Sequence, residues 1–220
     1  MQLSKETVDI LKAFATINTN LVIKPGKKFA TMAASKDIFA EYEGEDDFTK
    51  QISIFNLNEL LGVIGSFGKP ELDLDDKSMT IKEGKSKVKY VYAEDSLLTT
   101  PSKSIQMPTP EVSFDLSEDN LNSVKKMAGI LAVEDLAFIG DGKKIIARVF
   151  DAKNPTGNSF DIDLETKSPE KFNAMFKVEK LKLPNGSYTV DLSKQRISKF
   201  SHSTISLTVF IAIEATSTFG

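Results

Sequence analysis

The 220-residue chain has no cysteine, no tryptophan and a single histidine. Without thiols, disulfides, thiolate metal sites and cysteine nucleophiles are all excluded, which suits an intracellular protein. His202, in "KFSHSTI", has no second histidine with which to build a zinc site. The chain also has no G-x-S-x-G elbow to supply a serine for it to activate. Phosphate-binding loops are missing as well: "GDGKKI" lacks the G-x-x-x-x-G-K-[ST] spacing, and G-x-G-x-x-G does not occur. Asp73, Asp75 and Asp76 are only superficially like calcium ligands, because their loop lacks the glycine and distal glutamate of an EF-hand. No apolar run approaches the roughly 18 residues of a membrane span, and the opening "MQLSKETVDILK" has no apolar signal-peptide core.

An excess of positive charge is absent too. Lys and Arg number 28 against 31 Asp and Glu, a net charge of −3. Residues 1–108 hold 14 basic and 16 acidic side chains, and residues 109–220 hold 14 and 15. A conventional reader of a DNA groove is basic overall. If this chain meets nucleic acid, its positive charge must be gathered on one face and offset elsewhere, as "EYEGEDD" (Glu41–Asp47) and "ELDLDD" (Glu71–Asp76) would do.

What the sequence does have is alternation. In "TISLTVFIAIEA", Ile205, Leu207, Val209, Ile211 and Ile213 point one way, while Ser206, Thr208, Ala212 and Glu214 point the other. "YTVDLS" sets Tyr188, Val190 and Leu192 against Thr189, Asp191 and Ser193. Period two with one apolar face marks antiparallel strands, one side buried and one wet. Helical period is confined to a few segments. "LSKETVDILKAFATI" starts on Ser4 as N-cap and predicts an apolar face of Val8, Leu11, Phe14 and Ala15. "LSEDNLNSVKKMAGIL" repeats the device with Ser117 as cap and Leu121, Val124, Ala128 and Leu131 as stripe. "NLNELLGVIGSF" is a third helix, and "KVEKLKLP" one short turn ended by Pro184 and Asn185-Gly186.

Two hairpins resemble one another, "VIKPGKKFATMA" (Val22–Ala33) and "FIGDGKKIIARV" (Phe138–Val149). Each follows a Leu-Ser-capped helix at nearly the same distance. Agreement in order and spacing predicts a duplicated α+β domain. The expected halves are 1–108 and 109–220, joined by an extended, proline-bearing connector over about 93–113. That connector also carries Leu97, Leu98, Ile105 and Met107, so it either lies across a domain surface or helps to form a docking groove. Lysines recur on the polar side of the helices: Lys5 and Lys12 in a row with Asp9 and Thr16, Lys125 and Lys126 on the counterpart, and Lys177, Lys180 and Lys182 near the short turn.

Four segments, "LSKETVDILKAFATIN", "FNLNELLGVIGSF", "LKLPNGSY" and "FIAIEATSTF", resemble the DNA polymerase sliding clamps of T-even-type bacteriophages, and the likeness runs from Met1 almost to Gly220. The resemblance implies the α+β DNA-clamp fold: two similar domains, each with antiparallel sheets outside and two helices inside. It implies a homotrimeric ring around double-stranded DNA, held without regard to base sequence. Such a ring is a processivity factor rather than an enzyme, with no cofactor and no membrane partner, working in the cytoplasm of the infected host cell. The implied partners are DNA polymerase, an ATP-dependent clamp loader and late-transcription factors. The inward lysines would be Lys5, Lys12, Lys125, Lys126, Lys177 and Lys180, and the partner groove Leu98, Ile105, Met107 and Val112. The alternative is a monomeric replication scaffold or single-stranded-DNA-binding protein, which needs exposed aromatic platforms beside its basic residues.

Overall fold

In the computed structural model, residues 1–101 and 103–220 are described, and the chain divides into two compact units, 1–104 and 105–220. The first unit runs α1 (Lys5–Ile17), β1 (Leu21–Ile23), β2 (Gly26–Met32), β3 (Ile38–Phe48), β4 (Ile52–Ile54), α2 (Leu57–Gly65), β5 (Glu71–Leu74), β6 (Ser78–Glu83) and β7 (Ser86–Val91). Every ladder recorded in it is antiparallel: β1 with β4, β2 with β3, β5 with β6, and β6 with β7.

The second unit runs β8 (Val112–Leu116), α3 (Glu118–Leu131), β9 (Asp135–Asp141), β10 (Lys144–Phe150), β11 (Phe160–Lys167), β12 (Lys171–Lys177), β13 (Tyr188–Ser193), β14 (Ile197–His202), β15 (Ser206–Ala212) and β16 (Thr218–Phe219). One of its sheets has the order β11-β10-β9-β12-β16; in another, β15, β14, β13 and β8 are successive neighbours. A single 3-10 turn, Val178–Lys180, stands where the first unit has α2.

The element order of one unit is repeated in the other. The likeness extends to the chain start: the Met1 ammonium donates to the Leu72 carbonyl and the Leu72 N–H to the Met1 carbonyl, both at 2.7 Å. Met1 thus lies along β5 as β8 lies along β13. Both Gly-Lys-Lys turns place their glycine at positive φ, Gly26 at 120° and Gly142 at 90°, where a side chain is strained. At the second turn the Asp141 carboxylate accepts from the N–H groups of Lys143 and Lys144 at 2.8 and 2.9 Å. Those backbone donors hold its pKa below the usual carboxylate value.

The helices form where the capping chemistry predicts. The Ser4 hydroxyl accepts from the Thr7 N–H and the Ser117 hydroxyl from the Asn120 N–H. The α3 stripe of Leu121, Val124 and Ala128 is buried. The α1 face is turned from the expected one: Thr7, Ile10, Leu11 and Phe14 are buried, and Val8 and Ala15 lie at the margin. Tertiary packing decides this, because α1 rests on both α2 and β3 and the two contacts share its circumference.

Each unit has its own aromatic core. In the first, Phe29 meets Phe14, Tyr42 and Phe48 edge-on at 5.3–6.1 Å between ring centres. In the second, Phe138 meets Phe114 at 5.0 Å and Phe176 at 5.7 Å, and Phe200 continues the chain of rings to Tyr188. Such pairs add about 0.5–1.5 kcal/mol each beyond the area they bury.

His202, the one histidine, has a structural task. Its Nδ1 accepts from the Thr204 N–H at 3.2 Å, which leaves the proton on Nε2, 3.1 Å from the Asn185 carbonyl. It braces the Asn185-Gly186 turn, and Gly186 (φ 137°) leaves the room its ring needs.

Candidate nucleic-acid interface

The solvent side of α1 is a single polar row. Lys5 and Lys12 are exposed and both reach the carboxylate between them: Lys5 Nζ lies 2.5 Å from Asp9 Oδ2, and Lys12 Nζ 3.1 Å from Asp9 Oδ1. The Lys5 hydrogen bond is the main cause that lowers the Asp9 pKa, and its counterpart raises that of Lys5. Beside this row a cavity of about 450 Å³ opens between α1 and the segment after α2, floored by Val8, Ile64 and Phe67. Lys69 stands on its rim. Sequence reasoning missed Lys69, since it sits in a turn with no periodicity. The Glu83 carboxylate fixes that turn, accepting from the Gly68 and Lys69 N–H groups at 2.9 and 2.6 Å.

The two adjacent lysines of α3 part company. Lys126 is exposed. Lys125 is half-buried and donates to the Leu183 carbonyl at 2.9 Å. Burial, reinforced by the nearby Lys182 ammonium, pushes its pKa down. Lys177 pairs at 2.5 Å with the buried Asp135, which also accepts from the Ala152 N–H. Lys180 reaches Glu214 at 2.8 Å. Of the six lysines singled out from sequence, Lys5, Lys12 and Lys126 are exposed, while Lys125, Lys177 and Lys180 are tied to their own unit. Lys125→Glu should therefore lower stability by about 1–3 kcal/mol, the cost of leaving a buried partner unsatisfied. Lys126→Glu should stay within about 0.5 kcal/mol. Urea denaturation of the two variants checks the contrast.

Residues 93–99 are stitched to the first unit. Asp95 accepts from Ser53 Oγ at 2.5 Å and Gln51 Nε2 at 2.8 Å; the Thr99 carbonyl accepts from Asn18 Nδ2 at 2.9 Å. Leu98, Ile105 and Met107 are half-buried, and Val112 is buried within β8, where it pairs with Leu192. Val112 also borders a cavity of about 270 Å³ with Glu111, Lys171, Phe172 and Phe219. Among the described residues, no group of three or more His, Cys, Asp or Glu side chains could hold a metal ion, and no helix is long and apolar enough to cross a membrane.

The chain is similar over nearly its whole length to curated phage proteins. It is 29% identical over 222 residues to the sliding clamp of Vibrio phage KVP40, covering 98% of this chain and 100% of that one. It is 26% identical over 228 residues to the sliding clamp of Enterobacteria phage T4, covering 99% of each. The chain is thus similar from end to end to the sliding clamps of T-even-type phages. No family model matches it. The clamp fold is shared more widely. The Bartonella birtlesii DNA polymerase III subunit beta sliding clamp superposes with a TM-score of 0.74 at 11% identity, over 98% of this chain and 65% of that one. The A. fulgidus PCNA, solved with the C-terminal region of FEN-1 bound, gives 0.72 at 12% identity over 96% of each. The chain resembles proteins that serve replication and are not enzymes. Its α+β architecture of antiparallel sheets with few helices is the DNA-clamp fold.

Proposed function

We propose that three copies of this chain form a ring around duplex DNA and tether the replicative polymerase to it. The observation that carries this reading is the end-to-end match to curated sliding clamps. The two units are read as the two clamp domains, 1–108 with the connector and 109–220. Tethering converts repeated rebinding into an intramolecular event at high effective concentration. Base-specific contacts, worth roughly 1–3 kcal/mol each, would pin the ring; lysines attract the phosphate backbone without reading bases. The exposed Lys5, Lys12 and Lys126 are the first candidates for that face, and Lys69 joins them. A separate ATP-driven loader opens the ring, in keeping with the absence of any nucleotide motif from this sequence. Leu98 on the first unit and Ile105, Met107 and Val112 on the second are the candidates for docking polymerase, loader and late-transcription factors, all within the host cytoplasm. What supports peptide docking is the A. fulgidus PCNA, which holds the C-terminal region of FEN-1.

Head-to-tail pairing of unlike edges closes a ring. Two edges suit it. β7 ends the order β5-β6-β7 and β11 ends the order β11-β10-β9-β12-β16. The outer face of β7 carries Lys87, Lys89 and the 67%-exposed Val91, next to the 58%-exposed Phe55. β11 carries Asp161 and Asp163, flanked by half-buried Phe160 and Ile162. Arg148 holds Asp161 with two bonds of 2.7 and 2.6 Å, and Lys144 holds Asp163 at 2.7 Å. Each carboxylate still has acceptor sites for a lysine from a neighbouring copy. A single-stranded-DNA platform is less well supported, because Phe55 is the one aromatic among the large apolar side chains recorded as exposed.

The test uses the loaded protein. It should stay on closed circular DNA at salt that strips ordinary binders, and leave when the circle is cut. Lys5→Glu with Lys12→Glu should impair loading while assembly and melting temperature are kept. Equal, steeply salt-dependent loss from cut and uncut circles would mark a groove binder instead.

A further inference from the structure

The polar row on α1 holds an acid where attraction to a polyanion calls for none. Both oxygens of Asp9 are engaged, one by Lys5 at 2.5 Å and the other by Lys12 at 3.1 Å. The three charges sum to a single positive one. Asp9 serves no evident structural end: Ser4 caps the helix, and in the first turn it is Glu6 that takes the Tyr42 hydroxyl at 2.5 Å. Its carboxylate is 44% exposed, and the contacts recorded for it are these two lysines. The second unit differs at the corresponding place. With Ser4 and Ser117 aligned as caps, Asp9 falls opposite Asn122, which is neutral and exposed.

We infer that Asp9 limits the grip of this clamp on DNA by occupying Lys5 and Lys12 as an internal stand-in for a backbone phosphate. The inference rests on the reading that α1 faces the duplex. Exposed ion pairs of this kind are weak and exchange readily. An approaching phosphate therefore competes with a carboxylate for the same two ammonium groups, and each lysine always has an anion in reach. Releasing a phosphate exposes no bare charge, so the barrier between successive positions along the backbone stays low. The attraction that remains centres the duplex without arresting it.

The experiment compares the purified full chain with Asp9→Asn, which keeps the shape and removes the charge, and Asp9→Glu, which keeps the charge on a longer arm. Anisotropy of a labelled linear duplex is followed against salt. Asp9→Asn should raise affinity about 3- to 10-fold at low salt and steepen the slope of log K against log salt by about 1–2, since each further phosphate contact contributes about 0.9. Asp9→Glu should restore both to the starting values, and adding Lys12→Ala to Asp9→Asn should cancel the gain. If Asp9→Asn leaves affinity and slope unchanged while Lys5→Glu with Lys12→Glu weakens binding, the limiter is wrong and the DNA-facing helix stands. If the lysine reversals are silent as well, both fall. Sedimentation and melting of Asp9→Asn, expected unchanged, exclude an effect through folding or assembly.

Discussion

Val91→Asp combined with Lys89→Glu is expected to dissolve the proposed ring into single folded chains. Sedimentation should fall from three times the chain mass of 24.2 kDa to that mass. Val91 is 67% exposed and Lys89 lies beside it on the outer face of β7, so neither contributes to the core of its own unit. Folding should survive, and circular dichroism should not change. Assembly should not survive, because two new carboxylates would then face Asp161 and Asp163 across the proposed β7–β11 edge. Like charges brought together at an interface cost several kcal/mol, which weakens association by about two to four orders of magnitude. Asp161→Lys with Asp163→Lys should do the same from the other side, by setting lysines against Lys87 and Lys89. The variants should also be lost from closed circular DNA, since retention by encirclement requires closure. A Val91→Asp, Lys89→Glu chain that still sediments as a trimer would place the interface on other strands.

Phe138→Ala should cost about 3–5 kcal/mol, the range for removing a buried phenylalanine. Phe138 is 1% exposed, lies on β9 within the five-stranded sheet, and touches Phe114 and Phe176 at once. The cavity is hard to refill, since β10 and β12 pair with β9 on both sides and fix its backbone. Ile130→Ala, on a residue 64% exposed, should change stability by less than about 0.5 kcal/mol. Urea midpoints of the two variants give the comparison. A Phe138→Ala chain as stable as the Ile130→Ala chain would mean that the aromatic core carries little of the second unit's stability.

The caps at Ser4 and Ser117, the alternation of β13 and β15 and the paired Gly-Lys-Lys turns were legible because each depends on neighbours within a few residues. The α1 face was legible only in part. Periodicity put Val8 and Ala15 in the core, and packing against both α2 and β3 turned the helix toward Thr7 and Ile10. Lys125 and Lys126 look equivalent in sequence. They differ because successive residues point in different directions around α3, and only Lys125 is aimed where its ammonium reaches the Leu183 carbonyl, 58 residues away. Lys69 left no pattern to read, since its place is set by a turn that the distant Glu83 clamps.

The sequence by itself determined the α+β class, the repeat, the lack of cysteine and of a second histidine, and the recurrence of lysines on the helices. These follow from composition, period and capping, all of which act over one or two turns of chain. Tertiary structure alone decided which lysines stay exposed, that β7 and β11 end their sheets among the described residues, and that Asp9 holds Lys5 and Lys12 together. A side chain's charge is written in the sequence, but its partner and its access to solvent depend on segments that only folding brings near.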